Sequence, residues 1–143
     1  MIEKVILLVE DNPDDEMLTL RALEKNNIEN RVVVARDGAE ALSLIFNQTE
    51  TGLSPSLVLL DLRLPKLDGL EVLSRLRSDP RTKLVPIVVF TSSDEEQDIL
   101  RSYTLGATSY IRKPIDFNQY SDAIRQTATY WLRLNIPPPA YTA

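Results

Sequence analysis

The stretch Leu57-Val58-Leu59-Leu60-Asp61-Leu62-Arg63-Leu64-Pro65 decides how this chain folds. Four apolar residues run without interruption into a single carboxylate, and a proline follows. A continuous apolar run of that length suits a strand buried on both faces, as in a parallel sheet. A second run, Val5-Ile6-Leu7-Leu8-Val9, ends in the pair Glu10-Asp11. If both are parallel strands of one sheet, their carboxylates meet at one edge, where open α/β sheets bind ligands. Three acids gathered there repel one another, which raises at least one pKa unless a cation holds them together. The pattern points to a hard metal ion with oxygen ligands, Mg2+ before others, next to a nucleophilic Asp61.

Three more runs suit buried strands: Val32–Ala35, Ile87–Phe90 and Ser109–Ile111. Helical spacing fills the gaps between them. Pro13-Asp14-Asp15-Glu16 places proline and acids in a first turn, as helix N-termini prefer, and Met17, Leu20 and Leu23 line one face after it. A second helix follows Asp37, and a third follows Asp68-Gly69 and stops before Pro80. A fourth is expected to start near Ser93-Asp94, and a fifth to run from Asp116 to Trp131. Five strands alternating with five helices make a doubly wound α/β sandwich. Asn47–Ser56 reads as a polar loop, and Asn135–Ala143 as a Pro-rich tail outside the core.

Composition removes whole classes of chemistry. The 143 residues suit one domain with a proper core. A net charge of −5 argues against direct nucleic-acid binding, which usually needs a basic face. There is no Cys, hence no thiol catalysis and no zinc-thiolate site. There is also no His, which excludes Ser-His-Asp chemistry and a phosphohistidine on this chain. No secretory or membrane segment is visible, so a cytoplasmic protein with no membrane partner is expected.

The strand ends carry the chemistry. Strand one supplies Glu10 and Asp11, strand three Asp61, strand four Thr91, and strand five is followed by Lys113-Pro114. Taken singly, each has a plainer role: Asp61 as a turn cap, Glu10-Asp11 as a solvated helix start, Thr91-Ser92-Ser93 as an N-cap, Lys113 as a surface lysine. Together at four strand ends they suit phosphoryl transfer. The acids hold Mg2+, Asp61 attacks phosphorus, Lys113 neutralises a phosphoryl oxygen, and Thr91 hydrogen-bonds another.

This set of motifs resembles the receiver domain of two-component response regulators. The resemblance is carried by Val9-Glu10-Asp11-Asn12, Leu60-Asp61-Leu62-Arg63-Leu64-Pro65, Asp68-Gly69, Thr91-Ser92, and Gly106-Ala107 leading to Tyr110-Ile111-Arg112-Lys113-Pro114. It implies a flavodoxin-like (βα)5 fold with a parallel five-stranded sheet in the order 2-1-3-4-5, a receiver over residues 1–134, and a tail over 135–143. It also implies that Asp61 is the phosphoacceptor, Asp11 a direct Mg2+ ligand, Glu10 a ligand through water, and the Arg63 backbone carbonyl a further ligand, with Mn2+ able to substitute. A cis Lys113–Pro114 bond is expected to aim the ammonium inward. Thr91 and Tyr110 form the expected switch toward the face of helix four, strand five and helix five, while Arg63 and Ser93 border the phosphoryl group and tune its lifetime.

A finer likeness, to the small regulators that partner cyanobacterial phytochromes, lies in Glu10-Asp11-Asn12-Pro13-Asp14-Asp15, the loop Asn47–Ser56, Leu64-Pro65-Lys66-Leu67-Asp68-Gly69 and Tyr130-Trp131-Leu132. It implies a phytochrome-type sensor histidine kinase as donor and a homodimer, with Tyr130 and Trp131, and to a lesser degree Phe117 and Tyr120, as interface aromatics. Donor docking would use Met17, Leu18 and Pro114. The chain would then be no enzyme beyond its own phosphotransfer and dephosphorylation. Three rivals remain. A haloacid-dehalogenase-type hydrolase needs an acid where Arg63 stands. A flavodoxin-like cofactor binder finds only four Gly and no phosphate-cradling loop. The third is a pseudo-receiver, an interaction module that never takes up phosphate.

Overall fold

The computed structural model describes residues 4–47 and 53–139. Its order is β1 (Ile6–Val9), α1 (Pro13–Lys25), β2 (Val32–Ala35), α2 (Gly38–Phe46), β3 (Leu57–Leu60), α3 (Gly69–Ser78), β4 (Ile87–Thr91), α4 (Glu96–Thr104), β5 (Ser109–Arg112) and α5 (Phe117–Thr129), closed by a π-helical turn over Tyr130–Leu134. The five strands are all parallel in the order β2-β1-β3-β4-β5. This is the doubly wound, flavodoxin-like sheet expected from the apolar runs.

Side chains alternate across a strand, so each buried run feeds two cores. Leu7, Val9, Val58, Leu60, Ile87 and Val89 pack with α2 and α3 through Ala41, Ile45, Val72, Leu73 and Leu76. Ile6, Leu8, Leu57, Leu59, Val88 and Phe90 face the other way, onto Ala22 and Leu23 of α1 and Ile124 and Ala128 of α5. The central strands β1, β3 and β4 are wholly buried, whereas β2 and β5 at the edges are mostly half-exposed. The contrast shows in sequence at β5, where Ser109 and Arg112 interrupt the apolar run.

The pairing register also sets the level at which the strands end. Val9 pairs with both Ala35 and Leu60, and Leu60 pairs with Val89. Glu10 and Asp61 therefore leave neighbouring strands at one height, one residue past the ladder. Four helices begin with side-chain caps just beyond a strand or loop: Asn12, Asp37, Asp68 and Asp116 each accept a backbone N–H two or three residues on. Gly69 shows why the turn after β3 needs a glycine. A Cβ there would lie 2.3 Å from the Asp61 carbonyl oxygen, so no larger residue fits without displacing the backbone of the site.

Some details differ from expectation. Helix α4 begins at Glu96 rather than near Ser93, because the Ser93 hydroxyl donates to Asp98 and accepts from the Glu95 N–H, holding Ser92–Glu95 as a loop. The helix expected to reach Trp131 ends at Thr129 and widens into the π turn. No cis peptide occurs among the described residues, so Lys113–Pro114 is trans, contrary to expectation. The inward aim of Lys113 comes instead from the three carboxylates that hold its ammonium. Of the expected loop Asn47–Ser56, residues 48–52 lie outside the described residues, as do 140–143 of the tail. Pro137, Pro138 and Pro139 line a cavity of about 640 Å3 with Trp131, Leu84 and Pro86, at the amino end of the sheet. No helix among the described residues is long and apolar enough to cross a membrane.

Candidate functional site

At the carboxyl edge, β1 delivers Glu10, β3 delivers Asp61, β4 ends in Thr91, and the chain after β5 delivers Lys113. All four are buried, with Thr91 fully so. Lys113 reaches across the edge, and its Nζ lies 2.6 Å from Glu10 Oε1, 2.8 Å from Asp61 Oδ2 and 2.8 Å from Asp15 Oδ2. The other oxygen of Asp61, Oδ1, accepts the Thr91 hydroxyl at 2.8 Å and the Arg63 amide at 3.1 Å. Both oxygens of Asp61 are thus held by named donors, which fixes the carboxylate plane.

Electrostatics follow from this packing. Burial is the largest influence on Glu10 and raises its pKa to about 7, with the Asp61 charge adding to it and Lys113 only partly offsetting it. Burial also acts upward on Asp61, but the Lys113 charge and hydrogen bond, the Arg63 amide and the Thr91 hydroxyl outweigh it and hold that carboxyl below its ordinary value. For Lys113 burial acts downward, and the three carboxylates together overcome it, leaving the ammonium firmly protonated. One carboxylate is kept anionic while its neighbour is kept short of charge.

Asp11 is exposed beside this group. Glu10, Asp11 and Asp61 each offer one carboxylate oxygen within 4.8 Å of the others, a hard donor set suited to a divalent cation. The elevated Glu10 pKa fits the same reading: burial raises it first and the Asp61 charge adds to that, and a bound cation would relieve both. An open cleft of about 630 Å3 leads away from Asp11 between the Leu62–Pro65 segment and Glu95, Asp98 and Arg101.

Two residues at this edge escaped the sequence reading. Asp15 reads from sequence as a first-turn acid of α1 and the last residue of the Glu10–Asp15 motif, yet it is a direct partner of Lys113. Asp98, in the first turn of α4, accepts the Ser93 hydroxyl at 2.6 Å and pairs with Arg63 Nη2 at 3.6 Å. Neither follows an apolar run, so the pattern that found the others could not find them. Tyr110 is half-buried, and its hydroxyl donates to the Ser93 carbonyl at 2.8 Å, so the two residues proposed for switch and lifetime are already tied. Tyr120 is no interface residue. It lies in the core, edge-on to Phe90 at 5.0 Å, with its hydroxyl on Thr19, because α5 must fill the space above α1. Tyr130 is exposed, and Trp131 is half-buried and packs edge-on against it and onto the α1–α5 core.

A doubly wound α/β domain with an acidic, lysine-bridged site at the strand ends defines the class. Residues 6–125 match the response regulator receiver domain, and the chain belongs to that family. It is 41% identical over 135 residues to the probable methanogenesis regulatory protein FilR2 of Methanothrix harundinacea (strain 6Ac), covering 94% of this chain and 87% of that protein. It is 37% identical over 139 residues to response regulator Rcp1 of Synechocystis sp. (strain ATCC 27184 / PCC 6803 / Kazusa), covering 96% and 95%. The crystal structure of Mn2+-bound Rcp1 matches with a TM-score of 0.87 at 36% identity, covering 95% of this chain and 99% of that one. That of the phosphorylated cyanobacterial phytochrome response regulator RcpA matches with a TM-score of 0.90 at 38% identity, covering 96% and 100%.

Proposed function

We propose that this receiver accepts a phosphoryl group on Asp61 from a phosphohistidine of a sensor kinase, with Mg2+ bound by the strand-end acids. The observation that carries it is the Asp61 carboxylate, held anionic and oriented by Lys113, Thr91 and the Arg63 amide. In the reaction an Asp61 carboxylate oxygen forms a bond to phosphorus as the donor's P–N bond breaks. Lys113 and Thr91 turn their hydrogen bonds from the carboxylate to the phosphoryl oxygens. Asp11, Asp61 and the Arg63 carbonyl would hold Mg2+ directly and Glu10 through water, with Mn2+ as a substitute. Bound there, the ion would supply charge neutralisation and alignment of the incoming phosphoryl group.

The response follows from the same contacts. When Thr91 leaves Asp61 for the phosphoryl group, the β4–α4 loop shifts with it, and with that loop the Ser93 carbonyl that holds Tyr110. The α4–β5–α5 face is therefore the proposed output and homodimer surface. Exposed Leu100, Tyr103, Ile115, Phe117 and Tyr130 supply apolar area on these elements and the turn after them. Arg63 and Ser93 would set the phosphoryl lifetime. The likeness to Rcp1 and RcpA supports a phytochrome-type kinase as donor, docking over Met17, Leu18 and Pro114. The reading is completed by a cytoplasmic receiver over residues 1–134, a tail over 135–143, no membrane or nucleic-acid partner, and no enzymatic activity beyond its own phosphotransfer and dephosphorylation. The test is intact mass after incubation with Mg2+ and acetyl phosphate. One added phosphoryl mass is expected, absent from Asp61→Asn and abolished by chelator. No uptake under any Mg2+ condition would make the chain a phosphate-independent interaction module.

A further inference from the structure

An ammonium has three protons to donate, and in Lys113 all three are taken, by Glu10, Asp61 and Asp15. Two of these partners change role in the proposed reaction. Asp61 becomes the phosphorylated group, and Glu10 belongs to the set that can hold the cation. Asp15 does neither. Its backbone is also fixed at both ends. Its N–H donates to the Asn12 side chain at 3.1 Å, and its carbonyl accepts the Tyr120 hydroxyl at 3.3 Å. Tyr120 is in turn bonded to Thr19 at 2.9 Å, so helix α5 clamps the first turn of α1 in place. The carboxylate of Asp15 thus projects from a pinned stretch of backbone toward Lys113.

We propose that Asp15 is a positioning residue of the phosphotransfer site: it keeps the Lys113 ammonium anchored over the strand edge while its other two partners are given up to metal and phosphoryl group. The inference rests on the phosphotransfer reading above. Lys113 follows the last strand on a flexible four-carbon stem, and α1 provides the rigid point that the stem lacks. With Asp15 in place, one N–H stays bound and the remaining two are free to follow charge from the carboxylates to the phosphoryl oxygens. Without it, the ammonium is held only by groups that the reaction itself rearranges.

The experiment is the rate of phosphoryl uptake from acetyl phosphate at saturating donor and saturating Mg2+. It compares wild type, Asp15→Ala, Asp15→Asn, Lys113→Ala and the Asp15→Ala/Lys113→Ala double variant. Partners that orient a working side chain typically cost 10–100-fold when removed, so Asp15→Ala should slow uptake by about tenfold or more. Asp15→Asn, which still offers an oxygen acceptor, should fall between it and wild type. In the Lys113→Ala background, Asp15→Ala should add no further loss, the mark of action through the lysine. Thermal unfolding of each variant guards against a folding defect, and the near-isosteric Asp15→Asn keeps the test open if the alanine variant does not fold. Wild-type rates in both Asp15 variants would overturn the proposal. So would an equal further loss in the double variant, or a defect that vanishes once Mg2+ saturates. A wild-type chain that takes up no phosphoryl group overturns the parent reading and this one with it, whereas normal wild-type uptake with unaffected Asp15 variants overturns the anchor alone.

Discussion

Lys113 and Arg77 both turn inward, one toward each end of the sheet, and they are held in opposite ways. At the carboxyl end, Lys113 sits among three carboxylates, which keep its proton bound more firmly than usual. Toward the amino end, Arg77 of α3 donates to the carbonyls of Gly106, Thr82 and Lys83 and to the Thr108 hydroxyl, all neutral acceptors. Burial lowers its pKa. Gly106 must also be a glycine, at φ +105° and in close contact with the Arg77 stem. Dipoles fix Arg77 in one geometry and tie the α3–β4 and α4–β5 connections together. Charges hold Lys113 strongly, yet any new anion can compete for it. The difference separates a rivet from a contact made to be exchanged.

Loss of Lys113 should have the largest effect. Replacing it with alanine should slow phosphoryl uptake by about 10²-fold or more, as loss of a preorganised charge stabiliser does. Intact-mass time courses with acetyl phosphate measure this, and near wild-type uptake would show that the ammonium is no part of the chemistry. Arg77→Met should do the reverse. Loss of its hydrogen bonds, with carbonyls left unpaired, should cost about 2 kcal/mol of stability in denaturant unfolding. The uptake rate per folded molecule should stay unchanged. A rate defect of similar size to that of Lys113→Ala would erase the distinction between the two cations.

The smallest effect sharpens the electrostatic side. Glu10 keeps its proton in the folded chain to about pH 7, but in the unfolded chain only to about its ordinary value of 4.5. Between these values the folded state binds more protons. The contribution of Glu10 to stability is therefore complete below about pH 4.5 and is lost as pH rises to about 7. Asp61 has the opposite sign, and its contribution is present above 3.8 and is lost only at lower pH. That of Lys113 is complete below 10.5. Within the window from about 4.5 to 7, the metal-free chain should thus lose a downward stability slope when Glu10 becomes Gln. Because ligands must shed protons to bind metal, Mg2+ affinity should rise by up to about tenfold per pH unit toward pH 7 and then level off. Calorimetric titration across that range measures it, and a flat profile would place the proton elsewhere.

Most of the fold was readable because buried parallel strands leave an unmistakable trace, an apolar run with no polar alternation. Glu10, Asp11, Asp61, Thr91 and Lys113 were readable for a related reason, since each lies at or just beyond the end of such a run. Asp15 and Asp98 were not. Their roles depend on how a helix leans over the sheet edge, and residue order does not encode that angle. Tyr120 misled for the same cause, because an aromatic on a helix reads alike whether it faces a partner or the core. The start of α4 was displaced by one side-chain bond, from Ser93 to Asp98, that competes with helix formation.

The shared pairing level of Val9, Leu60 and Val89 bears on which genetic changes this domain can absorb. Substitution of one aliphatic residue for another along these strands leaves the level intact. Gain or loss of a single codon inside β1, β3 or β4 does not. It would move that strand's terminal group by about 3.3 Å along the sheet and exchange the faces of its side chains. Glu10 and Asp61 would then no longer end at one height, however well each strand still paired. In these strands the protected quantity is length before identity, and inherited insertions should be confined to the connections at their ends.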